Sequence, residues 1–238
     1  MKQYKNYCRK FTLPLITILL LAGFSANAQK PVKQGKEKER YVLISTPYGN
    51  MVAKLYNSTP HHRDNFIKNV ESGAYDSTIF HRVIAGFMMQ GGDPATKTLA
   101  DTAAMQYTTT PPNEQILPEF RDDIIHERGA LAAARDGNPR KASHAFQFYI
   151  VQGRNYDSAA VQNFYVQRVQ PANPNFHYTH DQLERYARIG GAPYLDQQYT
   201  VFGQVISGLD VIDKIAAQAT DKNNRPLKNV RMTITMLN

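Results

Sequence analysis

Four side chains of differing chemistry crowd into the stretch Phe80–Asp93, FHRVIAGFMMQGGD: the guanidinium of Arg82, the ring of Phe87, the thioether of Met88 and the amide of Gln90. An arginine stays charged, presents a planar fork of N–H donors and cannot be deprotonated to act as a base. A glutamine adds a donor and an acceptor. Phe80, Arg82 and Ile84 alternate with His81 and Val83 as a strand does, and Ala85-Gly86 reads as a tight turn before Phe87-Met88-Met89-Gln90 resumes extended structure. Because alternate positions of a strand share a face, this hairpin sets Arg82 beside the face of Met88 and Gln90, with Phe87 closing the edge near the turn. The competing reading is a core hairpin with one snorkelling arginine.

As a string, these residues resemble the cyclophilin signature. The resemblance implies peptidyl-prolyl cis-trans isomerisation, without metal or cofactor. An X-Pro amide resists rotation by about 18–20 kcal/mol, and uncatalysed exchange takes roughly tens to hundreds of seconds. No bond is made or broken. What helps is a donor aimed at the prolyl nitrogen, which gains lone-pair density only as the amide twists, and a dry socket that holds the ring still. By match to the family's motif, Arg82 is that donor and Gln90 bonds the substrate backbone beside it. Phe87, Met88, Tyr149 and Leu195 match the walls of the proline socket, and Ala134 and Gln147 border the residue preceding the proline. Three positions depart from the family: Tyr149 replaces a socket phenylalanine, Tyr194 the tryptophan of many eukaryotic members, and Tyr199 a histidine at the pocket rim. Phe146 stands where a small serine is usual before the Gln-Phe step.

The elements that must position these residues can be read in order. YVLIST (Tyr41–Thr46) and NMVAKLY (Asn50–Tyr56) form an opening hairpin around Pro47-Tyr48-Gly49. Thr59 is the expected N-cap of a helix with Pro60 at its first position, and Gly73 the expected stop. Pro94–Pro118 is polar and reads as a long surface loop. Gly129–Arg135 (GALAAAR) could be helical from its alanines, but Gly129 and the family pattern favour a strand of small residues that lets a peptide backbone approach. QFYIV (Gln147–Val151) is a further strand. Residues 155–193 exceed the minimal cyclophilin pattern and read as an inserted helical hairpin: Ser158–Val169, then a helix begun by a Thr179/Gln182 capping box, with Leu183, Tyr186, Ala187 and Ile189 as its inward face. Tyr199–Val205 is a strand, Leu209, Ile212 and Ile215 mark a second helix, and RMTITM (Arg231–Met236) closes the chain. The expectation is a mainly β domain: a closed eight-stranded antiparallel barrel with two capping helices and the inserted hairpin.

Composition bounds the remaining possibilities. Lys2, Lys5, Arg9 and Lys10 precede an apolar run from Phe11 to Phe24 that ends in Ala26-Asn27-Ala28, the pattern of a cleaved secretory leader. Residues 1–28 are therefore read as a signal peptide, 29–40 as a basic linker, and 41–238 as one isomerase domain exported to the periplasm or secreted. No stable membrane insertion is expected after cleavage. The only cysteine, Cys8, lies in the leader, so the mature chain is expected to lack thiol chemistry and disulfides. The net charge of +8 is +4 without the leader, and the linker's five basic and two acidic residues leave +1 for the body. That argues against nucleic acid as a partner and for proline-containing segments of exported polypeptides. Two other classes compete. One is a peptide-binding chaperone module with vestigial activity, motivated by the insertion and the tyrosine replacements. The other is a metal enzyme using His177, His180 and Asp181, of which His177 and His180 fall in a loop and a helix start with no cysteine available, while His61 and His62 are adjacent and poorly placed to share an ion.

Overall fold

The computed structural model describes residues 38–106 and 108–237. The leader and most of the basic linker lie outside the described residues. Eight strands make one antiparallel sheet: β1 Arg40–Thr46, β2 Gly49–Leu55, β3 Phe80–Ile84, β4 Met88–Gly91, β5 Ala130–Ala133, β6 Phe148–Val151, β7 Val201–Ser207 and β8 Thr233–Leu237. Their spatial order is β3-β4-β6-β5-β7-β2-β1-β8. The sheet curls but its ladder is open, which corrects the closed barrel expected from sequence. Among the described residues, the edge strands β3 and β8 meet only where β3 begins and just ahead of β8: at the Ile79–Arg231 bridge, with Ser77 N–H donating to Met232 O at 3.0 Å, Met232 N–H to Thr78 O at 2.8 Å and Phe80 N–H to Val230 O at 3.0 Å. Beyond that point a turn intervenes: Val83 N–H donates to Asn224 O at 2.8 Å, so the edge of β3 is covered by a loop instead of a strand.

Period-two alternation explains how four-residue strands serve two clusters at once. Along β6, Phe148 and Ile150 enter the main core with Phe66, Met89 and Phe202, whereas Tyr149 and Val151 turn to the other face. On β4, Met89 enters the core and Met88 the opposite cluster; on β5, Leu131 and Ala133 face the core, Ala130 and Ala132 the other side. The second cluster is rich in alanine and therefore shallow, which leaves room above it. Within GALAAAR, Ala130–Ala133 is thus a strand, as Gly129 and the family pattern favoured.

Helix α1 spans Pro60–Glu71, and its start differs from expectation. Thr59 occupies the N-cap position but its side chain makes no capping bond. The orphan donors are met instead by Glu119, whose carboxylate accepts from His61 N–H at 3.0 Å, His62 N–H at 2.9 Å and His62 Nδ1 at 2.6 Å. A carboxylate at a helix N-terminus also suits the helix dipole.

Between β6 and β7 lie α2 (Ser158–Phe164), its π-helical continuation Tyr165–Val169, α3 (His180–Arg188) and a 3₁₀ turn at Pro193–Leu195. Arg154 and Gly191 exchange backbone bonds at 3.1 and 2.9 Å, pinching the two ends of this excursion together. A Cβ on Gly191 would meet His126 O at 2.4 Å, so only glycine fits there. The Thr179/Gln182 capping box is formed in full. The inward face of α3 is Gln182 and Tyr186, with Leu183 half-buried; Ala187 and Ile189, expected inside, are exposed. Glu127 draws α3 over instead, its carboxylate bonding Arg185 Nε at 2.6 Å and so fixing the helix's rotation. Helix α4 (Leu209–Ala216) packs Ile212 and Ile215 into the core.

Candidate active site

The pairings of four adjacent strands lay the candidate residues out in one row. Arg82 on β3 faces Gln90 on β4, Gln90 faces Tyr149 on β6, and Tyr149 faces Ala132 on β5. Neighbouring strands lie about 4.8 Å apart, so residues in such a row present their side chains to one shared surface. A bulge between Phe80 and Arg82 adjusts the register so that Arg82 and Gln90 meet. The hairpin turn is made by Gly86 at φ +74°, a conformation that suits glycine, and it delivers Phe87 to the rim.

A cavity of about 130 Å³ opens on this row, lined by Arg82, Phe87, Met88, Gln90, Ala134, Arg135, Tyr149, Leu195 and Tyr199. Eight of the ten residues singled out from sequence are therefore brought together. Gln147 is buried behind the wall, in reach of a neighbouring cavity that shares Arg82 and Gln90. Its amide oxygen accepts from Gln90 Nε2 at 2.9 Å, and its Nε2 donates to the buried Asp93 at 3.0 Å. Asp93 thereby orients Gln147, which orients Gln90. Tyr194 is not a wall of the cavity. Its ring packs between Phe87, at 5.7 Å, and Phe164 of α2, at 5.2 Å, so it braces the rim from behind.

Arg82 is half-buried, and among the described residues no acceptor engages its guanidinium. A charged fork aimed into a cavity with its donors unspent is available to a ligand. Tyr149 behaves in the opposite way. Its hydroxyl bonds His126 Nε2 at 2.9 Å, and His126 Nδ1 bonds Asp196 at 2.7 Å. With the ring proton on Nδ1, His126 accepts from the phenol, and Tyr149 offers the cavity its ring, as a phenylalanine would. Burial, with Tyr199 and Asp196 nearby, raises the Tyr149 phenol well above its ordinary range, so it stays a donor. Tyr199 meets Tyr149 edge-on at 5.9 Å.

Arg135 was not singled out from sequence, yet it lines this cavity and both neighbouring ones. Its guanidinium lies 4.5 Å over the Tyr199 ring and its Nε donates to Gln198 O at 3.0 Å. A charged residue directly after a run of small ones, where the strand ends, was the available signal. The half-buried Phe146 contributes its carbonyl to Tyr75 Oη at 3.1 Å; nothing in the structure explains its ring. His177 bonds Tyr165 and His180 pairs with Glu184, and among the described residues no group of three His, Cys, Asp or Glu side chains could hold a metal.

Comparison with known proteins agrees with this geometry. The cyclophilin type peptidyl-prolyl cis-trans isomerase/CLD family matches residues 41–236. A Staphylococcus aureus (strain USA300) protein provisionally named a peptidyl-prolyl cis-trans isomerase is 33% identical over 202 residues, covering 84% of this chain and 91% of its own. A Streptococcus pyogenes serotype M6 protein provisionally named a bifunctional phosphatase/peptidyl-prolyl cis-trans isomerase is 32% identical over 202 residues, which are 79% of this chain and 37% of that protein. Among solved structures, the cyclophilin type isomerase of Cryptosporidium parvum superposes with a TM-score of 0.59 at 23% identity, covering 84% of this chain and 99% of that one. That match carries the fold, and the family match carries the activity, favouring an isomerase over a binding module with vestigial activity. The chain belongs to the cyclophilin-type peptidyl-prolyl cis-trans isomerases.

Proposed function

We propose that this isomerase acts on X-Pro bonds of exported polypeptides, with Arg82 as the donor that meets the prolyl nitrogen as the amide twists. The observation that carries the reading is the unspent guanidinium of Arg82 in one cross-strand row with Gln90 and Tyr149. Planar, the amide nitrogen has no lone pair to offer; twisted, it accepts a hydrogen bond, so Arg82 stabilises the transition state more than either ground state. Gln90, held by Gln147, is set to bond the substrate backbone beside the proline. Phe87, Met88, Leu195 and the Tyr149 ring hold the pyrrolidine ring, Ala134 leaves room for the preceding residue, and Tyr199 closes the rim. The Cryptosporidium parvum cyclophilin was also crystallised in the presence of the dipeptide Ala-Pro, which agrees with a proline site on this fold.

The assignment to exported clients rests on the leader-like residues 1–28, with Lys2, Lys5, Arg9 and Lys10 ahead of the apolar run. On this reading the mature chain works in the periplasm or outside the cell. Cis/trans exchange of a proline peptide, followed by exchange NMR with the chain beginning at Gln29, tests the activity and site; N-terminal sequencing of the protein recovered from the extracytoplasmic fraction tests the export. Exchange at the uncatalysed rate would overturn the first, and an intact Met1 the second.

A further inference from the structure

Beside the proline cavity lies a second groove, of about 550 Å³, that shares Arg135, Leu195 and Tyr199 with it. Its outer wall is Phe164, Gln167 and Arg168, supplied by α2 and its π-helical continuation. These belong to the excursion between β6 and β7, so the groove exists only because of that segment. A polypeptide whose proline sits in the cavity can run on over the Leu195–Tyr199 wall into this groove. An extended chain advances roughly 3.3–3.6 Å per residue, so residues two or three positions from the proline lie about 7–11 Å from it, past the shared wall.

The charges of the groove are of one sign. Arg135 and Arg168 line it, and no carboxylate does. Arg135 is held in place by Gln198 O and by the Tyr199 ring. Arg168 is exposed, its backbone is tied to the groove by Gln198 Nε2 donating to Arg168 O at 3.1 Å, and its guanidinium has no ion-pair partner among the described residues. Two cations lining a cleft, with no carboxylate between them, raise the local concentration of anionic groups. The amides of Gln167 and Gln198 and the ring of Phe164 suit a peptide's backbone and stem beside them.

We propose that this groove reads an acidic side chain carried two or three residues to one side of the proline, so that acidic proline-containing segments are the favoured substrates. This rests on the cavity being the proline site. The test uses two pairs of proline peptides, with Glu or Gln two residues before the proline in one pair and two residues after it in the other. Kd is measured on the full mature chain at low and high salt, or kcat/KM where binding is weak. In one pair the Glu peptide should be favoured about two- to five-fold, the range expected of a partly exposed ion pair. That ratio should fall toward one in Arg168→Gln and at high salt. Arg168→Gln keeps the backbone bond to Gln198 and replaces an exposed side chain, so an unchanged melting temperature accompanies it. A Glu-to-Gln ratio of one in both pairs, or a ratio that survives Arg168→Gln, overturns the proposal. Catalysed exchange with a ratio of one faults the groove alone, whereas a Glu preference without catalysed exchange faults the active-site reading alone.

Discussion

The Tyr149 hydroxyl sits 2.9 Å from Nε2 of His126, and this bond joins the floor of the active site to the excursion between β6 and β7. His126 passes the link to Asp196, which accepts from His126 N–H at 2.8 Å, His126 Nδ1 at 2.7 Å, Tyr178 Oη at 2.7 Å and Tyr186 Oη at 2.6 Å. Four donors satisfy a carboxylate that is 1% exposed, which is what permits its burial. Burial, reinforced by Asp196, pushes the phenols of Tyr178 and Tyr186 far above their ordinary range, so both stay protonated donors.

Replacing Tyr149 by Phe should therefore separate stability from chemistry. The ring that floors the cavity remains, so turnover should stay within a few-fold of wild type. The buried Nε2 of His126 loses its partner, at a cost of about 1–3 kcal/mol. Denaturant unfolding beside an exchange assay checks this; a variant of wild-type stability would show that the relay does not hold the floor.

Local signals were legible in the sequence and distant pairings were not. The hairpin at Phe80–Gly91 and the Thr179/Gln182 box follow from neighbours a few residues apart, and both stand as read. Thr59 failed as a cap because Glu119, 60 positions along the chain, does that work; no local pattern announces a carboxylate arriving from a loop. Ala187 and Ile189 fit a helical stripe, yet the pull of Glu127 on Arg185 turns α3 so that they face out. Closure of the barrel was inferred from the strand count, the need to remove exposed edges and the family resemblance, whereas Asn224, a turn residue, occupies the edge of β3. Within the site, the family motif carried the cavity walls, but Arg135 and the roles of Gln147 and Tyr194 depend on which residues stand behind the wall.

Glu119→Ala should uncap α1 and leave Nδ1 of the His62 imidazole without its partner, while Nε2 keeps its bond to Ser143 Oγ at 3.1 Å. Loss of an N-cap costs roughly 0.5–2 kcal/mol, and His62 is buried, so the upper part of that range is expected. Burial raises the Glu119 carboxyl, but the bonds from the His62 side chain and from the backbone of His62 and His61 outweigh it and hold it below its usual 4.5. A depressed carboxyl contributes stability that is present above the unfolded value and lost as pH falls through the folded one. The stability gap between wild type and Glu119→Ala should accordingly be wide at pH 7 and narrow near pH 3. An equal gap at both would show that the carboxylate's charge is not what caps the helix.

His81, next to Arg82 in β3, gives a second pH signature. Burial pushes its imidazole down to about 4 from 6.5, with Arg82 and Arg225 adding to the shift and Asp93 opposing it. Between those values the unfolded chain binds a proton that the folded chain refuses. Stability should therefore be full above about pH 6.5, fall as pH drops toward 4, and level off below, by about 3 kcal/mol at most for this group. Urea unfolding across pH 4–7 should show a shallower slope in His81→Gln. Identical slopes would place the acid sensitivity elsewhere.

Arg82 and Phe87 should fail in different ways. Arg82→Ala should remove most of the turnover while leaving the fold and much of the peptide binding, because its bond strengthens only as the prolyl nitrogen pyramidalises. The half-buried guanidinium has no acceptor among the described residues, so its loss strands no protein group. Arg82→Lys should recover little, since a point charge lacks the fork that can address nitrogen and carbonyl together. Phe87→Ala should weaken binding and turnover in parallel by opening the rim, and it also withdraws the ring that meets Tyr194 at 5.7 Å. The measurement is the exchange rate of one proline peptide together with its Kd for each variant. If Arg82→Ala lost affinity in step with rate, the guanidinium would be a ground-state anchor, and its assignment as the donor to the twisting amide would fail.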